Sequence, residues 1–243
     1  MRDNKVVFIT GGDKGIGRAI VLRLAELYEN VIFTYRTNIE GARAILDSHH
    51  NITCYPCDLS DIQQVKTVAV DVLKKFGRVD ILINNAGSEN DATFMKMDEK
   101  QWIDVINVNL MSLYYFAHSF IPDMINNSWG RVVNFTSIAG YTGAFGKSNY
   151  SAAKAGVVGF TKSLALEFGN KNITVNAISP GAICTDMLMR IPEKYRGKIL
   201  ENIPMQRFGE ANEVADLVEF LISNKASYIN GQTIHINGGS YMV

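Results

Sequence analysis

Lys5-Val6-Val7-Phe8-Ile9-Thr10-Gly11-Gly12-Asp13-Lys14-Gly15-Ile16-Gly17 is the stretch from which the rest of the chain can be read. Lys5–Thr10 is a short, β-branched apolar run cut off by glycine, the pattern of a strand buried on both faces. From Gly15 to Tyr28 the period changes, and Ile16, Ile20, Leu24 and Leu27 fall on one face of a helix. Strand, glycine turn and helix make one unit of an alternating fold.

Outward from that unit the alternation continues to the end. The pattern predicts strands at Val31–Tyr35, Ile52–Pro56, Val79–Asn84, Arg131–Thr136, Thr174–Ile178 and Thr233–Ile236. Between them it predicts helices at Ile39–Ser48, Asp61–Phe76, Trp102–Ile125, Tyr150–Phe168 and Glu213–Ser223. Parallel strands need crossover connections, and helices supply them. The expected fold is therefore α/β: a single Rossmann-like domain over 1–243, with a doubly wound parallel sheet and helices on both faces. A length of 243 residues suits one large domain better than two small ones. Only 183–207 breaks the rhythm, with Pro192, Pro204 and the apolar Met187, Leu188, Met189 and Ile191. It reads as an insertion, either a substrate lid or a helix pair packed on the body.

Composition narrows the function classes. The 24 basic and 24 acidic side chains cancel, so no strong field favours nucleic acid or an anionic membrane as partner. Met1–Lys5 leads straight into an apolar run far too short to span a bilayer. Three cysteines are too few, and odd in number, for a disulfide framework, so a cytoplasmic location is expected. Cys54 and Cys57 have redox spacing, but on a strand an offset of three points them to opposite faces. The four histidines have no metal-ligand spacing, and no metal site is expected.

The glycine turn has a chemical reading. Gly11, Gly15 and Gly17 let the backbone bend sharply and let a pyrophosphate approach main-chain N–H groups around Asp13, Lys14 and Ile16. The helix N-terminus adds partial positive charge. The end of the second strand, Thr34-Tyr35-Arg36-Thr37-Asn38, lacks the carboxylate that would bind the ribose of NAD. Arg36 instead offers a planar fork for a 2′-phosphate, and Lys14 a second cation, so NADP(H) is the expected cofactor. The plainer alternative is that both are solvated surface cations.

Tyr150 and Lys154 lie four apart at the start of a helix and so share a face. An ammonium beside a phenol favours the phenolate, which predicts a lowered tyrosine pKa. Such a phenol suits a general acid that protonates a carbonyl oxygen as hydride reaches carbon. Ser137, closing a strand, can donate to the same oxygen, and Asn109 can hold a water that resupplies the proton. Taken singly, each has an ordinary explanation: a surface pair, a strand end, a partner for buried backbone.

Together these motifs resemble the short-chain dehydrogenase/reductase family over nearly the whole chain. The matching marks are Thr10-Gly11…Gly15-Ile16-Gly17, Asp58-Leu59, Asn84-Asn85-Ala86-Gly87, Asn109, Ser137, Tyr150…Lys154 and Pro180-Gly181 with Thr185. The resemblance implies Tyr150 as acid/base, Lys154 tuning it and binding ribose, Ser137 orienting substrate and Asn109 supporting a proton relay. It places Asp58 and Leu59 near the adenine, and Asn85, Ala86 and Gly87 along the cofactor cleft. Pro180, Gly181, Ile183 and Thr185 would meet the nicotinamide.

Within the family the chain looks most like the 3-oxoacyl-[acyl-carrier-protein] reductases, through Asn149–Gly156, Ile173–Asn176, Pro204–Gly209 and Asn237–Val243. That implies NADPH-dependent reduction of a carrier-bound 3-oxoacyl thioester, in fatty acid or polyketide-like biosynthesis, by a homotetramer. Two departures stand out. Ser88-Glu89-Asn90-Asp91 replaces Ile-Thr-Arg-Asp, and Asn127-Ser128-Trp129 lacks an arginine, leaving Lys171 as one cation on the expected docking face. Reduction or oxidation of a small free ketone or alcohol in specialised metabolism is the competing enzymatic reading. A non-catalytic dinucleotide sensor is the third, and the complete Asn109, Ser137, Tyr150 and Lys154 set argues against it.

Overall fold

The computed structural model describes residues 2–242, without the side chain of Met187. Val243 of the C-terminal run and the Met187 side chain of the expected lid therefore lie outside the described residues.

The predicted alternation is present. The first unit is β1 (Asp3–Ile9), α1 (Gly15–Leu27) and β2 (Tyr28–Tyr35), followed by α2 (Ile39–Leu46), β3 (Ile52–Pro56), α3 (Ile62–Phe76) and β4 (Ile81–Asn84). The second half runs α4 (Glu99–Ile106), α5 (Ser112–Asn126), β5 (Gly130–Phe135), α6 (Ala139–Thr142), α7 (Ser148–Phe168) and β6 (Ile173–Pro180). It closes with α8 (Asp186–Met189), α9 (Glu193–Glu201), α10 (Ala211–Ile222) and β7 (Thr233–Ile236). The seven strands form one sheet in the order β3-β2-β1-β4-β5-β6-β7. Every neighbouring pair is parallel.

Strand periodicity divides the core. Val7, Ile9, Phe33 and Ile83 point to one face, where Ile20 and Leu24 of α1 meet Val214 and Val218 of α10. Val6, Phe8, Ile32 and Leu82 point to the other, against Val65 and Val72 of α3 and Phe116 and Phe120 of α5. Successive residues of one strand thus serve opposite layers, which is why these strands are apolar throughout. The Phe8 ring lies 4.8 Å from Phe116 and 5.1 Å from Phe120, between centroids.

Several boundaries differ from the sequence reading for local reasons. Asp61 is the cap of α3 rather than its first residue, accepting from the amides of Gln63 and Gln64. The helix expected at Trp102–Ile125 starts earlier, behind a capping box made by Asp98 and Gln101. It is also interrupted by a π-helical turn at Asn107–Met111. The 183–207 stretch contains α8 and α9, so helices do form there. Among the described residues, no helix is long and apolar enough to cross a membrane.

Strand order reverses between β1 and β4, where successive connections leave on opposite faces of the sheet. Such a reversal opens a crevice at the carboxyl ends of the strands. The glycine turn follows β1, Asn85-Ala86-Gly87 follows β4, Ser137 follows β5 and Gly181 follows β6, so all four segments border that crevice.

Candidate active site

The glycine turn is built to a tight tolerance. Gly11 and Gly15 have φ of +68° and +54°, a region that suits glycine. A Cβ on Gly17 would overlap the Gly11 carbonyl oxygen, and one on Gly12 would lie 2.6 Å from Cβ of Phe33. Asn85 locks the turn, its Nδ2 donating to the carbonyls of Thr10 (2.9 Å) and Gly11 (3.1 Å). The Ala86 amide donates to Thr10 Oγ1 at 3.0 Å. Asn85 thus has a structural task that the sequence reading did not give it. From above, Thr185 closes on the turn: a Cβ on Gly15 would sit 3.3 Å from its Cγ2.

The turn is also tied to the end of β2. The Gly11 amide donates to Thr34 Oγ1 (3.2 Å) and the Gly12 amide to the Thr34 carbonyl (2.9 Å). Lys14 and Arg36 are both exposed, and neither makes an ion pair among the described residues. Asp13 is buried beside them, with its carbonyl accepting from Asn38 Nδ2 at 3.5 Å. Further along, one carboxylate oxygen of Asp58 accepts from the amide and hydroxyl of Ser60. Leu59 is buried in the core, so it offers the cleft only main chain.

The four catalytic candidates gather between β4, β5 and α7. Thr136 Oγ1 donates to the Lys154 carbonyl at 2.8 Å, seating the end of β5 on the helix. A Cβ on Gly140 would lie 2.8 Å from the Lys154 carbonyl carbon, so glycine is needed for that approach. Buried Asn149 accepts from the Tyr150 amide (2.8 Å) and donates to the carbonyls of Asn90 and Gln101. These supports were not singled out from sequence, since their partners are distant along the chain.

Lys154 is buried, and its Nζ donates to the Phe135 carbonyl at 2.8 Å and lies 5.6 Å from the centre of the Tyr150 ring. Asn109 sits inside the π-helical turn, where Nδ2 donates to the carbonyls of Ser88 (2.8 Å) and Val105 (2.9 Å). Single π turns widen a helix and are frequent at functional sites. Asn109 Oδ1 is buried without a partner among the described residues. A Cβ on Gly87 would lie 3.0 Å from that oxygen and 3.5 Å from Lys154 Nζ, so Gly87 keeps the space between them open.

The acidity differs from the expectation. Burial pushes the Tyr150 phenol up to about 12, Glu89 and Asp91 add to the rise, and only the Ser137 hydrogen bond opposes it. Lys154 does not lower it here, because its amine gives up its proton well before the phenol does. Burial draws Lys154 down to about 8, against the opposing pull of Glu89. The pocket therefore favours a protonated phenol beside Ser137, with a buried amine behind it.

An open glycine cradle, an unpartnered Asn109 oxygen and a gap kept clear at Gly87 fit a dinucleotide laid across the crevice. They suit a nicotinamide-dependent oxidoreductase. A family model described as Enoyl-(Acyl carrier protein) reductase matches residues 11–241. The chain is 41% identical to a Staphylococcus epidermidis protein over 98% of its own length and 100% of that protein's. It is 43% identical to a Buchnera aphidicola protein, over 99% of each chain. A Haemophilus influenzae protein is 40% identical, over 98% of each. All three carry the name 3-oxoacyl-[acyl-carrier-protein] reductase FabG. The chain belongs to the short-chain dehydrogenase/reductase family.

Proposed function

We propose that the chain uses NADPH to reduce the 3-oxo group of an acyl thioester, borne by an acyl carrier protein, to the 3-hydroxyl. The observation that carries this reading is the half-buried, protonated Tyr150 against Ser137 and before Lys154, in a chain that matches 3-oxoacyl reductases over nearly its whole length. Bound NADPH supplies the hydride. Tyr150 gives its proton to the substrate oxygen as negative charge develops there, and the Ser137 hydroxyl donates to the same oxygen. Lys154 and the Asn109 oxygen flank the gap at Gly87, where Lys154 holds the ribose and Asn109 a water that returns the proton.

Arg36 and Lys14 favour NADPH over NADH through the 2′-phosphate. Asp58 and the Leu59 main chain serve the adenine, and Pro180, Gly181, Ile183 and Thr185 the nicotinamide. The 183–207 segment acts as the substrate lid of a single domain. Buried Leu188 anchors it while Met189 and Tyr195 are exposed, giving an acyl chain an apolar surface to meet. Assembly as a homotetramer in the cytoplasm is consistent with Leu166 standing 88% exposed on α7 and with the half-exposed edge strand β7.

A small free ketone is the second reading. Glu89 and Asp91 stand close to Tyr150, and acidic groups there disfavour an acidic carrier. The test follows NADPH and NADH oxidation with acetoacetyl-carrier protein, acetoacetyl-CoA, crotonyl-CoA and a panel of free ketones. The proposal predicts turnover of the 3-oxo thioesters with NADPH. Preference for a free ketone or for the enoyl thioester would overturn it.

A further inference from the structure

The loop after Gly87 is fixed at several points. The Ser88 carbonyl accepts from Asn109 Nδ2 at 2.8 Å, the Asn90 carbonyl from Asn149 Nδ2 at 3.1 Å, and Asn90 Oδ1 from Gln101 Nε2 at 2.9 Å. The Ala92 amide donates to the Gly146 carbonyl at 2.9 Å. Between these ties lie two carboxylates that share one cation: Lys147 Nζ is 2.6 Å from Glu89 Oε2 and 3.2 Å from Asp91 Oδ2. That same nitrogen lies 5.8 Å from the centre of the Tyr150 ring.

We propose that Glu89, tied to Lys147 in this fixed loop, is a positioning residue that holds Tyr150 in its protonated form. The proposal rests on the functional reading above. Glu89 does not touch the reacting atoms. It acts by charge on Tyr150 and through the placement of Lys147.

The charges facing Tyr150 come from two elements. The 88–92 loop brings Glu89 and Asp91, and α7 with its N-cap brings Lys154 and Lys147, while Ser137 contributes a neutral hydroxyl. Glu89, Asp91 and Lys147 together leave one negative charge on the mouth side of the phenol. The Glu89 and Lys147 side chains are only 33% and 26% exposed, so water screens them incompletely. A phenolate formed there is repelled by that net negative charge, whereas the neutral phenol is not. Burial opposes the Lys147 charge, but Glu89 and Asp91 outweigh it, so the cation persists and holds the loop. Glu89 also favours the charged form of Lys154, which links the loop to both members of the catalytic pair.

Two substitutions of opposite electrostatic sign test this. In Glu89→Gln the loss of a negative charge stabilises the phenolate. The alkaline fall in kcat/KM for acetoacetyl-CoA reduction, and the alkaline rise for NADP-dependent oxidation of 3-hydroxybutyryl-CoA, then both move to lower pH by about one unit. Lys147→Met moves both limbs to higher pH. Merely loosening the loop would shift them the same way, and that result, or unmoved limbs, would overturn the proposal. If wild-type protein turns over no ketone, the functional reading fails on its own account. Tyrosinate absorbance, with the Tyr150→Phe protein subtracted, then reads the clamp directly. The Tyr150 signal must appear at lower pH in Glu89→Gln than in wild type, and an equal onset overturns the inference.

Discussion

The two ends of the cleft use charge in opposite ways. Between β4, β5 and α7 the amine of Lys154 is buried and Tyr150 is half-buried, so desolvation weighs heavily on their proton affinities. Where β1 meets α1 and β2, Lys14 and Arg36 stand exposed, and water and salt screen them. Charge at the dry end sets acidity; charge at the wet end biases which ligand stays. Substitutions at the two ends should therefore fail differently.

The largest effect belongs to the turn that joins the ends. Gly17→Val drives side-chain atoms into the Gly11 carbonyl, and NADPH affinity should fall more than about 100-fold in a fluorescence titration, since the backbone cannot yield cheaply. Lys154→Met should lower kcat about 100-fold or more while raising thermal stability at pH 7. The sign follows from the buried amine. Its folded pKa of about 8 lies below the ordinary 10.5, so the unfolded chain binds the proton more tightly between those values. Stability then rises with pH across that window, and the full penalty applies below about 8. Calorimetry should show Lys154→Met melting higher at pH 7, with the gain shrinking as pH rises from about 8 to 10.5. A gain independent of pH would break the contrast between the two ends.

At the wet end, Arg36→Asp should cut the NADPH/NADH preference in kcat/KM by about 10- to 100-fold, because a charge-assisted bond becomes a repulsion. Lys14→Ala should be the mildest, raising KM for NADPH about threefold in low salt and hardly at all in high salt. A large drop in kcat from either would mean that these cations reach the chemistry.

Much of this was legible in the chain. Short apolar runs and helical patterns gave the order of the seven strands and the longer helices, because each of these carries its own apolar signature, whereas the short α6, α8 and α9 do not. Tyr150 and Lys154 were readable because a helix brings positions four apart together. The π-helical turn was not, since Asn107–Met111 has ordinary helical composition and its geometry is settled by the contacts of Asn109. Glu89 and Lys147 are 58 positions apart, so their pairing exists only in the fold. The direction of the Tyr150 shift was missed because spacing reports proximity and says nothing of how dry the site is. Asn85 was readable as a cleft residue, but its grip on the glycine turn depends on β1 and β4 lying side by side.

The most direct test is Tyr150→Phe, with NADPH affinity and single-turnover reduction of acetoacetyl-CoA measured on the same preparation. A phenyl ring fills the same space without a proton to give, so NADPH binding should persist within about threefold while turnover falls roughly 1,000-fold. Turnover close to wild type, with NADPH still bound, would contradict the assignment of that hydroxyl as the acid.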